Sequence, residues 1–100
     1  MNELVRISNG EPVTTSLLVA ERFGKEHKNV IQAIKEIIRS AENSAHFYNI
    51  STYVDSMQRE QQMFTMNRDG FSLLIMGFTG KKALKFKIDF INAFNEMEKI

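Results

Sequence analysis

Residues 20–34 read AERFGKEHKNVIQAI, a run with one glycine between two apolar-patterned segments and a basic face opposite a branched apolar one. On a wheel turning about 100° per residue, Val30, Ile31, Ile34, Ile37, Ile38 and Ala41 share one face. That stripe predicts a helix over about 26–41, seated on a core. Lys28, Gln32, Lys35 and Arg39 lie opposite, with Lys25 alongside, and Glu36 flanks this face. Glu26 falls in the first turn, where the helix dipole favours an acid. Upstream, Thr14, Thr15 or Ser16 can supply the cap oxygen for a helix through LLVAERF, which Gly24 would end in the left-handed conformation.

The spacing of Ala20, Gly24 and Val30, A-x3-G-x5-V, resembles the helix-turn-helix of bacterial and phage regulators. A small residue at Ala20 lets two helices cross closely, Gly24 supplies a turn that a β-carbon disfavours, and Val30 packs the second helix back on the first. The second helix then projects its first turns outward, as a recognition helix entering the major groove of double-stranded DNA does. Lys28, Asn29 and Gln32 are the residues placed for base edges, because Lys donates to guanine and Asn or Gln pairs with adenine. Lys25, Lys35 and Arg39 are placed for phosphates. From Arg22 to Arg39 five basic residues stand against two acidic ones, although the whole chain carries only +1. His27 sits at the edge of the apolar arc and suits either a packed, capping role or a DNA contact. A solvated charged face is the competing reading of the whole helix.

Outward from this centre, LVRIS, Asn9-Gly10 and residues 11–14 read as a hairpin, since both turn residues tolerate positive φ. HFYNISTYV and QQMFTM form a second hairpin around the loop DSMQRE, with Tyr48, Ile50, Val54, Phe64 and Met66 as its core side. Its tip has Arg59 as its one basic residue, beside Asp55 and Glu60, which makes a poor phosphate grip, so a mainly structural hairpin stands beside the wing reading. NRDGFSLLIMGF is a short helix opened by Asn67 or Asp69, and GKKALKFKIDFINAFNEMEKI a long one. The order is ββααββαα: an α+β, winged helix-turn-helix-like single domain over 1–100. It has a helix pair at about 16–41, a hairpin at about 47–66 and C-terminal helices at about 68–99.

GFTGKKALKFK is not a phosphate-binding P-loop, because Ile75 stands where a glycine is needed and Lys82 where Ser or Thr is needed. Lys81, Lys82, Lys85 and Lys87 at a helix start could meet a DNA phosphate, or simply keep the helix solvated. The last helix is apolar over two stripes, Leu84, Ile88 and Ile91 on one and Ala83, Phe86, Phe90, Ala93, Phe94 and Met97 on the other. That surplus suggests a central helix, a homodimer through Phe86, Phe90, Phe94 and Met97, or a protein partner.

Composition excludes other classes. The chain has no cysteine, hence no thiolate chemistry, and His27 and His46 lack a third metal ligand or a nucleophile partner. No catalytic residue, metal or cofactor is expected. The amino terminus, MNELVRISNG, lacks a signal-peptide pattern, and no apolar run approaches the roughly 20 residues of a membrane span. A soluble protein of the bacterial cytoplasm is the expectation.

From about Pro12 to Glu98 the chain resembles the phage regulatory protein Rha family. The resemblance rests on VTTSLLVAERFGKEHKNV, residues 13–30, and FTMNRDGFSLLIMGFTGKKALKFKIDFINAFNEME, residues 64–98; the chain is also similar in style to phage antirepressor amino-terminal domains. It implies a phage or prophage protein with a regulatory, DNA-binding role. In the first motif it reaches Gly24, Lys25, His27, Asn29 and Val30. In the second it reaches Arg68, Asp69, Gly70, Phe71, Gly77, Thr79, Gly80, Lys81 and Ala83, none with a catalytic assignment. Family members often continue past this region, whereas this chain stops at Ile100, which leaves any carboxy-terminal activity open.

Overall fold

Local chemistry sets where each element begins. In the computed structural model, which describes residues 4–98, strands β1 (Arg6–Ser8) and β2 (Glu11–Thr15) pair antiparallel around Asn9 and Gly10. Those two residues take φ of 52° and 80°, the positive values a two-residue hairpin requires. The Thr15 hydroxyl oxygen accepts the Leu18 N–H at 3.1 Å and opens α1 (Ser16–Phe23), making Thr15 the cap among the three candidates. Gly24 closes α1 at φ 66° and ψ 36°, and the Lys25 N–H returns to the Ala20 carbonyl at 2.9 Å. This left-handed stop turns the chain into α2 (His27–Ser40), with Glu26 and Ala41 as its flanking residues.

A single 3-10 turn, Ala45–Phe47, precedes β3 (Tyr48–Val54), which pairs residue for residue with β4 (Glu60–Met66) from Tyr48↔Met66 to Val54↔Glu60. His46 and Phe47, expected in the strand, belong to that turn, and the Phe47 carbonyl is occupied by the Asn67 N–H. Asn67, rather than Asp69, caps α3 (Arg68–Ile75) by accepting the Gly70 N–H at 2.9 Å. The long helix α4 (Lys81–Glu98) follows; the final residues of the expected helix, 99 and 100, lie outside the described residues.

The strands form one antiparallel sheet in the order β1-β2-β4-β3, with β2 joined to β4 at Thr14↔Met66 and Thr15↔Thr65. Among the described residues the fold is thus α+β, with a four-stranded sheet and four α-helices, the last of them long. Its centre is aromatic: the Phe71 ring lies 4.7 Å from that of Phe90 and 5.8 Å from that of Phe94, and Phe23 stacks on Phe90 at 5.9 Å. Val19, Ala20, Val30 and Ile34 seat the helix pair on this core. Such pairs add dispersion and quadrupole contacts to apolar burial.

Two expectations about side-chain direction need correction. Ile50 and Val54 are exposed, although Tyr48, Phe64 and Met66 of the same hairpin are buried. On α4, Phe90 and Phe94 are fully buried at 0% exposure, with Phe86 and Met97 half-buried beside them. The exposed apolar stripe is instead Leu84, Ile88 and Ile91. Of the four residues expected at a homodimer seam, Phe90 and Phe94 are thus consumed by the chain's own core, while Phe86 and Met97 keep part of their surface.

Candidate nucleic-acid interface

The sequence-predicted basic face lies on the outside of α2. Val30 and Ile34 are buried, and Ile31, Ile37 and Ile38 half-buried, so helical period alone turns Lys28, Asn29, Gln32, Lys35 and Arg39 to solvent. Glu26 provides no side-chain cap bond to the first turn. Its carboxylate lies instead 3.3 Å from Lys28 Nζ, and Glu36 lies 3.1 Å from Arg39, both between exposed side chains. Exposed pairs of this kind contribute little, so a phosphate can replace the carboxylate at small cost.

Lys25 occupies the turn, with its Nζ 4.7 Å from the centre of the Phe78 ring. Phe78 also packs edge-on against Phe23 at 5.0 Å, which brings the segment leading into α4 against the α1–α2 turn. Lys81 and Lys82, exposed three and four residues beyond Phe78, are thus joined to the same end of the molecule. Lys87 is not: its ammonium donates to the Phe78 carbonyl at 2.8 Å. Lys85 pairs with Asp89 at 3.2 Å.

Two predicted contact residues are placed otherwise. Arg59 folds onto Asp55, its Nε donating to Oδ2 at 3.2 Å. Asp55 also accepts the backbone N–H groups of Met57 and Arg59 and the Gln61 side-chain amide, and these donors, the Arg59 N–H foremost, hold its carboxyl below the usual range. The hairpin tip is a self-satisfied acidic turn with its one arginine neutralised. His27 is half-buried, with Nε2 2.8 Å from Ser16 Oγ and its ring edge-on to Tyr53 at 5.6 Å. Burial lowers its pKa, and the charge of Glu21 partly offsets this. A packed histidine is what the structure shows.

The contact that sequence reasoning missed is Arg68, whose guanidinium donates to both carboxylate oxygens of Glu98 at 2.7 and 3.1 Å and to Asn95 at 2.8 Å. It ties α3 to the end of α4. Thirty residues separate the partners, so no local pattern announces the pair. Among the described residues no group of three or more His, Asp or Glu could hold a metal ion, and no helix is long and apolar enough to cross a membrane.

Comparison with known proteins adds the family. The model for phage regulatory protein Rha matches residues 14–99. The chain belongs to the phage regulatory protein Rha family. It is 40% identical over 88 residues to an uncharacterized protein of Haemophilus influenzae, covering 85% of this chain and 51% of that one. To a 22.8 kDa protein from the gp15–gp3 intergenic region of Salmonella phage P22 it is 35% identical over 98 residues, 95% of this chain and 49% of the phage protein. To YoqD of Bacillus subtilis, a candidate antirepressor derived from the SPbeta prophage, it is 32% identical over 95 residues, 91% of this chain and 38% of YoqD. The chain therefore spans about half or less of the length of these curated relatives. No solved structure matches. Rha family membership and relatives from a phage and a prophage place the chain among phage regulatory proteins.

Proposed function

We propose that this Rha domain regulates phage or prophage genes by binding double-stranded DNA, with α2 as recognition helix in the major groove and β3–β4 as a wing. One observation carries the reading: Lys28, Asn29, Gln32, Lys35 and Arg39 share one uncovered face of a helix that follows a left-handed turn at Gly24. Lys28, Asn29 and Gln32 meet base edges, while Lys35, Arg39, Lys25, Lys81 and Lys82 meet phosphates. Arg59, bound to Asp55, adds little to affinity.

Selection of bound fragments from phage and host DNA, repeated at several salt concentrations, tests this. A sequence-enriched set is expected, with affinity falling steeply with salt because each neutralised phosphate releases counterions. Enrichment without sequence preference, or binding indifferent to salt, overturns it.

A second reading rests on α4. Leu84, Ile88 and Ile91 are 60%, 48% and 42% exposed and form a stripe at helical spacing. With one relative named as a candidate antirepressor, that stripe supports a protein-binding module whose partner stays bound at high salt and is not displaced by DNA.

A further inference from the structure

Three side chains from three elements meet beneath the first turn of α2. Ser16, the first residue of α1, is fully buried at 0% exposure. Its Oγ accepts the Phe64 N–H at 2.9 Å and lies 2.8 Å from His27 Nε2. The other ring nitrogen of His27 is 3.5 Å from Tyr53 Oη, on the hairpin. Phe64 is the next residue of β4 after those paired with Thr14 and Thr15. Where the chain leaves the sheet to become α1, the Ser16 side chain thus takes over the ladder and passes it to His27.

Proton counting fixes how this chain of contacts works. Ser16 Oγ already accepts one hydrogen bond, and its own proton requires an acceptor, because a buried hydroxyl left unpaired is costly. Among the described residues the polar atom left for it is His27 Nε2, which accepts only as part of a neutral imidazole. The ring proton then resides on Nδ1 and points to Tyr53 Oη. A second proton turns Nε2 into a donor facing the Ser16 hydroxyl, which leaves the serine proton without a partner.

We propose that His27 is a positioning residue that latches the start of α2 to Ser16, where the sheet passes into α1, in its neutral form alone, so that acid loosens this junction and the Phe64 bond that Ser16 holds. The consequence for DNA rests on the function proposed above; the latch itself does not. The groups facing the ring are Ser16 and, through its charge, Glu21 from α1, and Tyr53 from the hairpin, whose cross-strand neighbour Gln61 gives its amide to Asp55. On α2 itself, Glu26 and Lys28 pair with each other on the exposed side. Glu21 alone favours the charged ring, and burial opposes it more strongly.

The sign separates this role from direct contact. A histidine touching phosphate strengthens DNA binding when it gains a proton, whereas the latch weakens it. The test follows Phe64 amide protection by NMR, and binding to a mixed-sequence DNA duplex, from about pH 7.5 to about pH 5, across and below the ordinary histidine value of about 6.5. Protection is expected to fall about tenfold in acid, the effect of one buried hydrogen bond, with DNA affinity falling alongside. In H27Q, whose side-chain carbonyl can still accept from Ser16, both should lose their pH dependence. Acid-labile protection without DNA binding at any pH would uphold the latch and reject the DNA reading. Protection unchanged by acid, or affinity that rises in acid and loses this rise in H27Q, overturns the latch. A readout on the native chain guards against a variant that fails to fold: nitrogen shifts must show Nε2 unprotonated at neutral pH, and a protonated Nε2 there also overturns it.

Discussion

At Gly70 the missing side chain is what the fold uses. A β-carbon there would stand 3.0 Å from the Phe47 carbonyl oxygen, 3.0 Å from Tyr48 Cε1 and 3.1 Å from Met66 Cβ. The carbonyl belongs to backbone already bonded to Asn67, so it cannot yield cheaply. Gly70→Ala should therefore destabilise by about 1–3 kcal/mol, the usual cost of overpacking, although alanine is the better helix former. A urea midpoint lowered at constant slope is the expected reading; an unchanged midpoint would mean the backbone gives way freely. Tyr48 donates to the carbonyl of this same glycine at 2.8 Å, and burial pushes its pKa up to about 12, so the phenol stays protonated as that bond requires. His27 gives the pH dependence a definite direction. Its folded pKa lies below the unfolded value of about 6.5, so the unfolded chain binds the proton more readily. Stability from this residue is complete above about pH 6.5 and declines as pH falls through the window below it. Urea midpoints should drop from about pH 7 to about pH 5 in the native chain and drop less in H27Q, against the background of the carboxylates.

Helix α2 carries the proposed recognition, and its two classes of contact make separable predictions. Replacing Lys28 and Gln32 with alanine should abolish sequence preference while the fold survives, since both are exposed; each lost base contact is worth about 1–3 kcal/mol of discrimination. Replacing Lys35 or Arg39 should weaken all sequences alike and reduce the salt slope by about one per residue. Intact operator affinity in the Lys28/Gln32 double variant would show that another surface reads the DNA. Arg59→Ala should change affinity by less than either. Much of this element was legible in the sequence because its causes are local: a cap hydroxyl at Thr15, a glycine able to turn left-handed at residue 24, and apolar residues at helical period. The turn at Asn9-Gly10 and the cap at Asn67 were readable on the same grounds. The particular partners of His27 and Arg59 were not. The direction of these two side chains is set by Ser16, Tyr53 and Asp55, and a wheel places a residue at the edge of an arc without saying what stands opposite.

Across the whole molecule, the decisive question is what α4 has left to offer once the core is filled. Period alone could not tell which of its two apolar stripes the sheet and α3 would cover. The answer depends on Phe71, which meets Phe90 and Phe94 and so draws the aromatic stripe inward. Phe94→Ala should thus cost about 3–5 kcal/mol as a core cavity and would report on stability rather than on association. Leu84, Ile88 and Ile91 remain outside, and their substitution separates association from folding. Ile88→Lys with Leu84→Gln should leave the unfolding midpoint nearly unchanged, because surface changes usually fall within about ±0.5 kcal/mol. If the stripe meets a second copy or another protein, the same variant lowers the mass seen by sedimentation or loses the captured partner. If α2 acts on DNA without that contact, operator affinity per chain is unaltered by it. A large loss of folding stability would show that the stripe is already covered within the chain, and the protein-binding reading would fall with it.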